Sequence, residues 1–139
     1  MLRRSCSCTF AAKRLRAGLA AVEFAVVLPI MAAIVFGGME ASNAIHLKQT
    51  LTSSAYEAAR TITATGGTQG RAQTRFDEIV AAQNIQQATI TFSPAVNSST
   101  ASGTLITVTA TAPATVNSYA PAWYYDNTVM TTTVRMVRQ

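Results

Sequence analysis

The chain has 139 residues, 11 of them basic and 6 acidic, for a formal net charge of +5. The excess lies at one end: Arg3, Arg4, Lys13, Arg14 and Arg16 precede Gly18 with no acid among them, and the remainder balances six against six. A neutral body without a basic patch excludes capture of nucleic acid by charge, and the length allows one small domain rather than several.

The basic head also holds both cysteines, Cys6 and Cys8. A C-x-C pair falls short of the roughly four ligands a structural zinc takes, and no histidine lies near it. The residues before Cys6 are Arg-Arg-Ser, not the apolar run that a lipid-attachment site would need. Beyond Gly18 there is no cysteine, so the fold there owes nothing to disulfides.

Residues 19–39 are apolar except for Glu23, and as a helix they would span about 30 Å, the thickness of a bilayer's hydrocarbon core. Pro29 is tolerable in such a helix, and Gly37 and Gly38 soften its far end. A carboxylate at mid-membrane costs about 2.5 to 3.5 kcal/mol, so a retained Glu23 implies a use. The basic head should stay cytoplasmic, which sends the C-terminal part across the membrane. An ordinary secretory signal cut near Ala41 or Ala44 is one alternative, and an uncut anchor is another. The long head and the charge within the apolar run weigh against the signal.

From 40 to 65 the helix should continue, because Ala44, Leu47, Leu51, Ala55, Ala58 and Ile62 recur at steps of three and four. The rod from Leu19 to about Thr65 would measure roughly 70 Å, and Glu57 can reach Arg60 on its outer face. "TGGTQG" then interrupts. A short amphipathic helix is predicted over 71–84 on Phe76, Ile79, Val80 and Gln83, with Asp77 read as an early-turn partner of the helix dipole. Alternation follows: "ATITF", "LITVTATA" and the run 128–137 read as three strands, with a long Ser- and Gly-rich loop between the first two. The fold class is therefore α+β, a long N-terminal helix, a short helix and a small antiparallel sheet of three or four strands.

Catalytic chemistry is not visible. His46 has no acid or cysteine three or four residues away, no serine sits in a readable triad, and no glycine-rich phosphate cradle occurs. Neither an enzyme, a cofactor, a metal site nor a small-molecule substrate is expected. The aromatic cluster "YAPAWYYDN" is the one surface candidate. Trp123, Tyr124 and Tyr125 serve either as core anchors of a small domain or as an interface.

The stretch around Glu23 resembles the N-terminus of type IV pilin precursors, in which a basic leader and a glycine precede an apolar helix whose fifth residue is glutamate followed by an aromatic. Here those positions are Gly18, Leu19, Glu23 and Phe24. More narrowly, residues 18–61, with "AAVEFAVVLP", Glu40, "LKQTLTSSA" and "EAAR", are similar to the TadE-like family of minor pseudopilins from the tight-adherence (Flp) pilus system. The resemblance implies cleavage by prepilin peptidase between Gly18 and Leu19, and roles for Glu23 and Phe24 in processing and assembly. It implies partners in other pilin or pseudopilin subunits, met through the N-terminal helix, and a place in the bacterial inner membrane. The expected organisation is a leader over 1–18, a transmembrane half-helix over 19–39, an extramembrane half over 40–65 and a globular α+β part over 71–139.

Overall fold

A computed structural model describes residues 8–97, 99–118 and 127–139 of the chain, with side chains from residue 18 onward. The α+β class holds. A long helix α1, Cys8–Thr63, is followed by a shorter helix α2, Gln69–Ala82, and by three strands, β1 Thr89–Ser93, β2 Leu105–Pro113 and β3 Val129–Val137. A 3-10 turn at Thr115–Asn117 follows β2. The chain divides into two compact units, 1–38 and 39–139.

In the first unit, α1 carries Pro29 within it. Proline deletes one backbone donor and crowds the preceding turn, a defect that kinks soluble helices and is common in membrane ones. From Gly18 to Gly38 every side chain is exposed except Ala32, which is partly covered.

In the second unit the sequence periodicity becomes a core. Leu47, Leu51, Ala55, Ala58 and Ile62 are all buried, joined by Ala59, so the small residues let the helix axis come close to its neighbours. Ser54 is buried on the same helix and returns its hydroxyl to Leu51 O at 3.1 Å, which satisfies it locally. Gly66 takes φ +73, the left-handed geometry that ends helices, and a Cβ on Gly67 would collide with the carbonyl oxygens of Thr61 and Ile62. The glycine pair is thus the stop signal for α1.

Helix α2 begins earlier than the spacing suggests. Thr68 caps it, its hydroxyl accepting Arg71 N–H at 3.5 Å, and Gly70 lies inside it. The buried face is Ala72, Phe76 and Val80, with Ile79 half-buried, while Gln83 is exposed because the helix has already closed at Ala82. Asp77 consequently sits in the third turn rather than the first, where it accepts Gln73 Nε2 at 3.1 Å. The expected Glu57–Arg60 pair does not form. Among the described residues the ion pair is Arg75–Glu78, 3.1 Å apart and exposed at both ends, worth a few tenths of a kcal/mol at most.

The sheet is antiparallel throughout, in the order β1-β2-β3. Its register pairs Ile90 with Ala110, Val108 with Val134 and Ile106 with Met136. Ile106, Val108, Ala110 and Ala112 of the central strand are buried beneath α1 and α2 residues of the core, and Val96, from the long β1–β2 loop, joins them. The opposite face is threonine-rich, with Thr89 and Thr111 hydroxyls 2.7 Å apart across the ladder.

Candidate functional site

Gly18, Leu19, Glu23 and Phe24 all lie within α1, in the first unit. At a rise of about 1.5 Å per residue, Leu19 and Glu23 are one turn apart and share a helix face. Nothing approaches within 4 Å of the position a Cβ would take on Gly18. Phe24 is 65% exposed and Glu23 is exposed beside it. An exposed glycine, a bare apolar surface and one acid on it is an arrangement for meeting other molecules, since in water it buries nothing. Among the described residues, α1 from Gly18 is the one helix long and apolar enough to cross a membrane.

Glu40, the first residue of α1 to turn inward, is 8% exposed. Ala44 is buried one turn later. His46 is exposed on the helix surface, as its lack of partners in the sequence suggested. Trp123, Tyr124 and Tyr125 lie outside the described residues.

The sequence gives no hint of a polar clasp centred on Asn117. Its Oδ1 accepts Gln86 N–H at 2.7 Å, and its Nδ2 donates to Gln86 O at 3.0 Å and to Pro113 O at 2.8 Å. Asn43 Nδ2 of α1 donates to Asn117 O at 2.8 Å. One side chain thereby ties the α2–β1 connection to the end of β2, and its backbone ties both to α1. A cavity of about 170 Å³ opens beside it, lined by Asn43, His46, Asn84 and Gln86 among others. Its walls offer amides and an imidazole but no clustered acids, and the described residues contain no group of His, Cys, Asp and Glu able to hold a metal. The clasp is structural in its chemistry. Asn117→Ala should lower the domain's stability by about 2 kcal/mol, because it removes three hydrogen bonds worth roughly 0.5 to 1.5 kcal/mol each. Thermal unfolding followed by circular dichroism reads this as a fall of roughly 10 °C.

Arg138 is a second residue that no pattern announced. It is 6% exposed, and its Nη1 has no hydrogen-bond partner among the described residues. Its neighbour Gln139 donates its N–H to Thr63 O, 3.0 Å away in the last turn of α1. A helix C-terminus is where a cation is best tolerated.

No curated protein and no solved structure matches the chain. Residues 18–60, which run from the exposed glycine to Arg60 and include Gly18, Glu23 and Phe24, match the family model described as TadE-like protein.

Proposed function

We propose that the chain is a minor pseudopilin of a tight-adherence pilus, anchored in the bacterial inner membrane by α1 and matured by prepilin peptidase between Gly18 and Leu19. The TadE-like match points to the Tad pilus system and to a structural, non-enzymatic role. The observation that carries the reading is the position of Glu23, five residues after a glycine on an otherwise apolar, exposed helix.

Cleavage gives that acid its use. The freed α-amino group of Leu19 is largely protonated near neutral pH. Glu23 would then sit one turn from the new N-terminus of the shortened helix, on the face of the Leu19 ammonium. An ammonium from the same or a neighbouring subunit, brought to it in lipid, compensates a carboxylate that is otherwise expensive there. Subunits therefore gain by associating in the register that brings the two charges together. Phe24, next to the acid, adds an aromatic surface to the same contact.

The secretory-signal alternative fares worse against the same helix. Its cleavage sites near Ala41 and Ala44 fall inside α1, and Ala44 is part of the buried core. The Gly18–Leu19 bond also lies inside α1, so the difference is that a cut at Ala44 would open the buried core whereas Gly18 is exposed.

Glu23→Ala should leave membrane insertion intact or improve it, while recovery of the protein with affinity-purified pilus assembly complexes falls about tenfold, the loss of one compensated charge in lipid. Equal recovery of mutant and wild type would remove the assembly role of Glu23. A mature N-terminus at Met1, or one following Ala41 or Ala44, would overturn the pseudopilin reading itself.

A further inference from the structure

We propose that the outer edge of β3 is a docking site for an extended strand of a partner protein, one with acidic side chains at alternate positions. Among the described residues β3 is an end strand of the sheet. The direction of its backbone groups is set at both ends: Ala114 N–H donates to Thr128 O at 2.8 Å, and Arg138 N–H donates to Thr104 O at 2.9 Å. Strand alternation then turns the peptide groups of the even-numbered residues between them toward β2, and those of Thr131, Thr133, Arg135 and Val137 away from it.

Helix α1 occupies the two ends of this outward row. Lys48 Nζ donates to Thr131 O. At the other end Gln139 N–H donates to Thr63 O at 3.0 Å. Between these tethers, the N–H and C=O groups of Thr133, Arg135 and Val137 bond to nothing among the described residues, a free window of about 13 Å. Natural sheets blunt long edges with proline, bulges or inward charges, because an open edge is a template for another strand. Here, among the described residues, the guards are the two α1 tethers, Lys48 on the Thr131 carbonyl and Thr63 on the Gln139 amide.

The surroundings of the window specify what would fill it. Thr52 Oγ1 and Thr132 Oγ1 are 3.2 Å apart, which sets this flank of α1 beside the edge. One turn further along the same flank Tyr56 is 51% exposed, so apolar side chains on an added strand would cover its ring. On the other face of the strand Arg135 is exposed and outside any described ion pair. The three strands contain no acid, so the charge on the strand itself is that of Arg135, while on the α1 flank Lys48 and Glu57 line the same hollow and offset one another. A second copy of β3 would bring another Arg135 and no acid, which leaves self-pairing without complementary charge. The partner strand is therefore apolar on one face and anionic on the other, a β-augmentation in which backbone bonds give affinity and side chains give choice.

The inference does not depend on the pilus reading and is tested without it. The probe is a capped eight-residue peptide alternating glutamate and valine, added to the full chain in detergent micelles while amide hydrogen exchange is followed residue by residue. In the free protein the amides of Thr133, Arg135 and Val137 should exchange about a hundredfold faster than those of Thr132, Val134 and Met136. The peptide should slow the first group about tenfold, and the same peptide N-methylated at alternate amides should not. Thr133→Pro removes an outward donor that the ladder does not use, so it should abolish the protection and keep the native circular dichroism. Arg135→Glu should transfer the preference to a lysine–valine peptide. Slow exchange of the three outward amides in the free protein, protection that rises with protein concentration alone, or equal protection by the N-methylated peptide would each overturn the proposal.

Discussion

Gly18→Val is expected to leave the entire membrane population as a precursor about 18 residues heavier than the processed wild-type chain. The substitution is close to neutral for the fold: the glycine is exposed and a Cβ there meets nothing within 4 Å. Valine is in fact a slightly better helix residue than glycine, by a few tenths of a kcal/mol. What changes is access. The Gly18–Leu19 bond, at which we propose cleavage, lies inside α1, so a peptidase acting there must unwind a turn and draw the backbone against its own catalytic groups. Glycine helps with both, since it gives up the least helix stability and carries no side chain to hold the backbone away. A β-branched residue resists unwinding and blocks the approach. Gel mobility of the membrane fraction, with N-terminal sequencing of the band, checks the result. Normal processing of the valine variant would show that the enzyme does not read this position.

The second large effect is in the second unit. Phe76→Ala should cost about 3 to 5 kcal/mol, because Phe76 is completely buried and the surrounding residues cannot collapse onto the space it leaves. A domain of this size has about 5 to 15 kcal/mol in all, so roughly a fifth or more of its stability goes with one ring. The variant should unfold at a much lower urea concentration and be cut rapidly by protease at 37 °C. Ile34→Ala provides the contrast. Ile34 is 64% exposed in the first unit, so the same assay on the domain should be unchanged. Equal sensitivity of the two variants would mean that Phe76 is not the centre of the core.

These two results differ in how well the sequence anticipates them. The face of α1 from Ala44 to Ile62 is readable because a helix repeats every 3.6 residues, and six positions in phase leave one solution. The strands are readable for the same reason at period two. Helix ends are harder. A spacing rule starts α2 at residue 71 and stops it at 84, whereas the Thr68 cap and the closing turn at Gln83 set it two residues earlier at both ends. That shift moves Asp77 away from the dipole and leaves Gln83 in water. Val96 is harder again, since a lone valine in a loop has no periodic neighbours to mark it, and only the finished core has room for it.

The sequence by itself determined the run long and apolar enough to span a membrane, the acid placed on it, the order of helices and strands and the faces they bury. All of these follow from local chemistry, in which each residue's role is set by neighbours three or four positions away. Tertiary structure alone decided the Asn117 clasp, the burial of Arg138 and the open window on β3. Asn117 and Asn43 are 74 residues apart, and Lys48 and Thr131 are 83 apart. No local pattern encodes such pairs, because whether a polar group is satisfied depends on which distant backbone the fold brings to it.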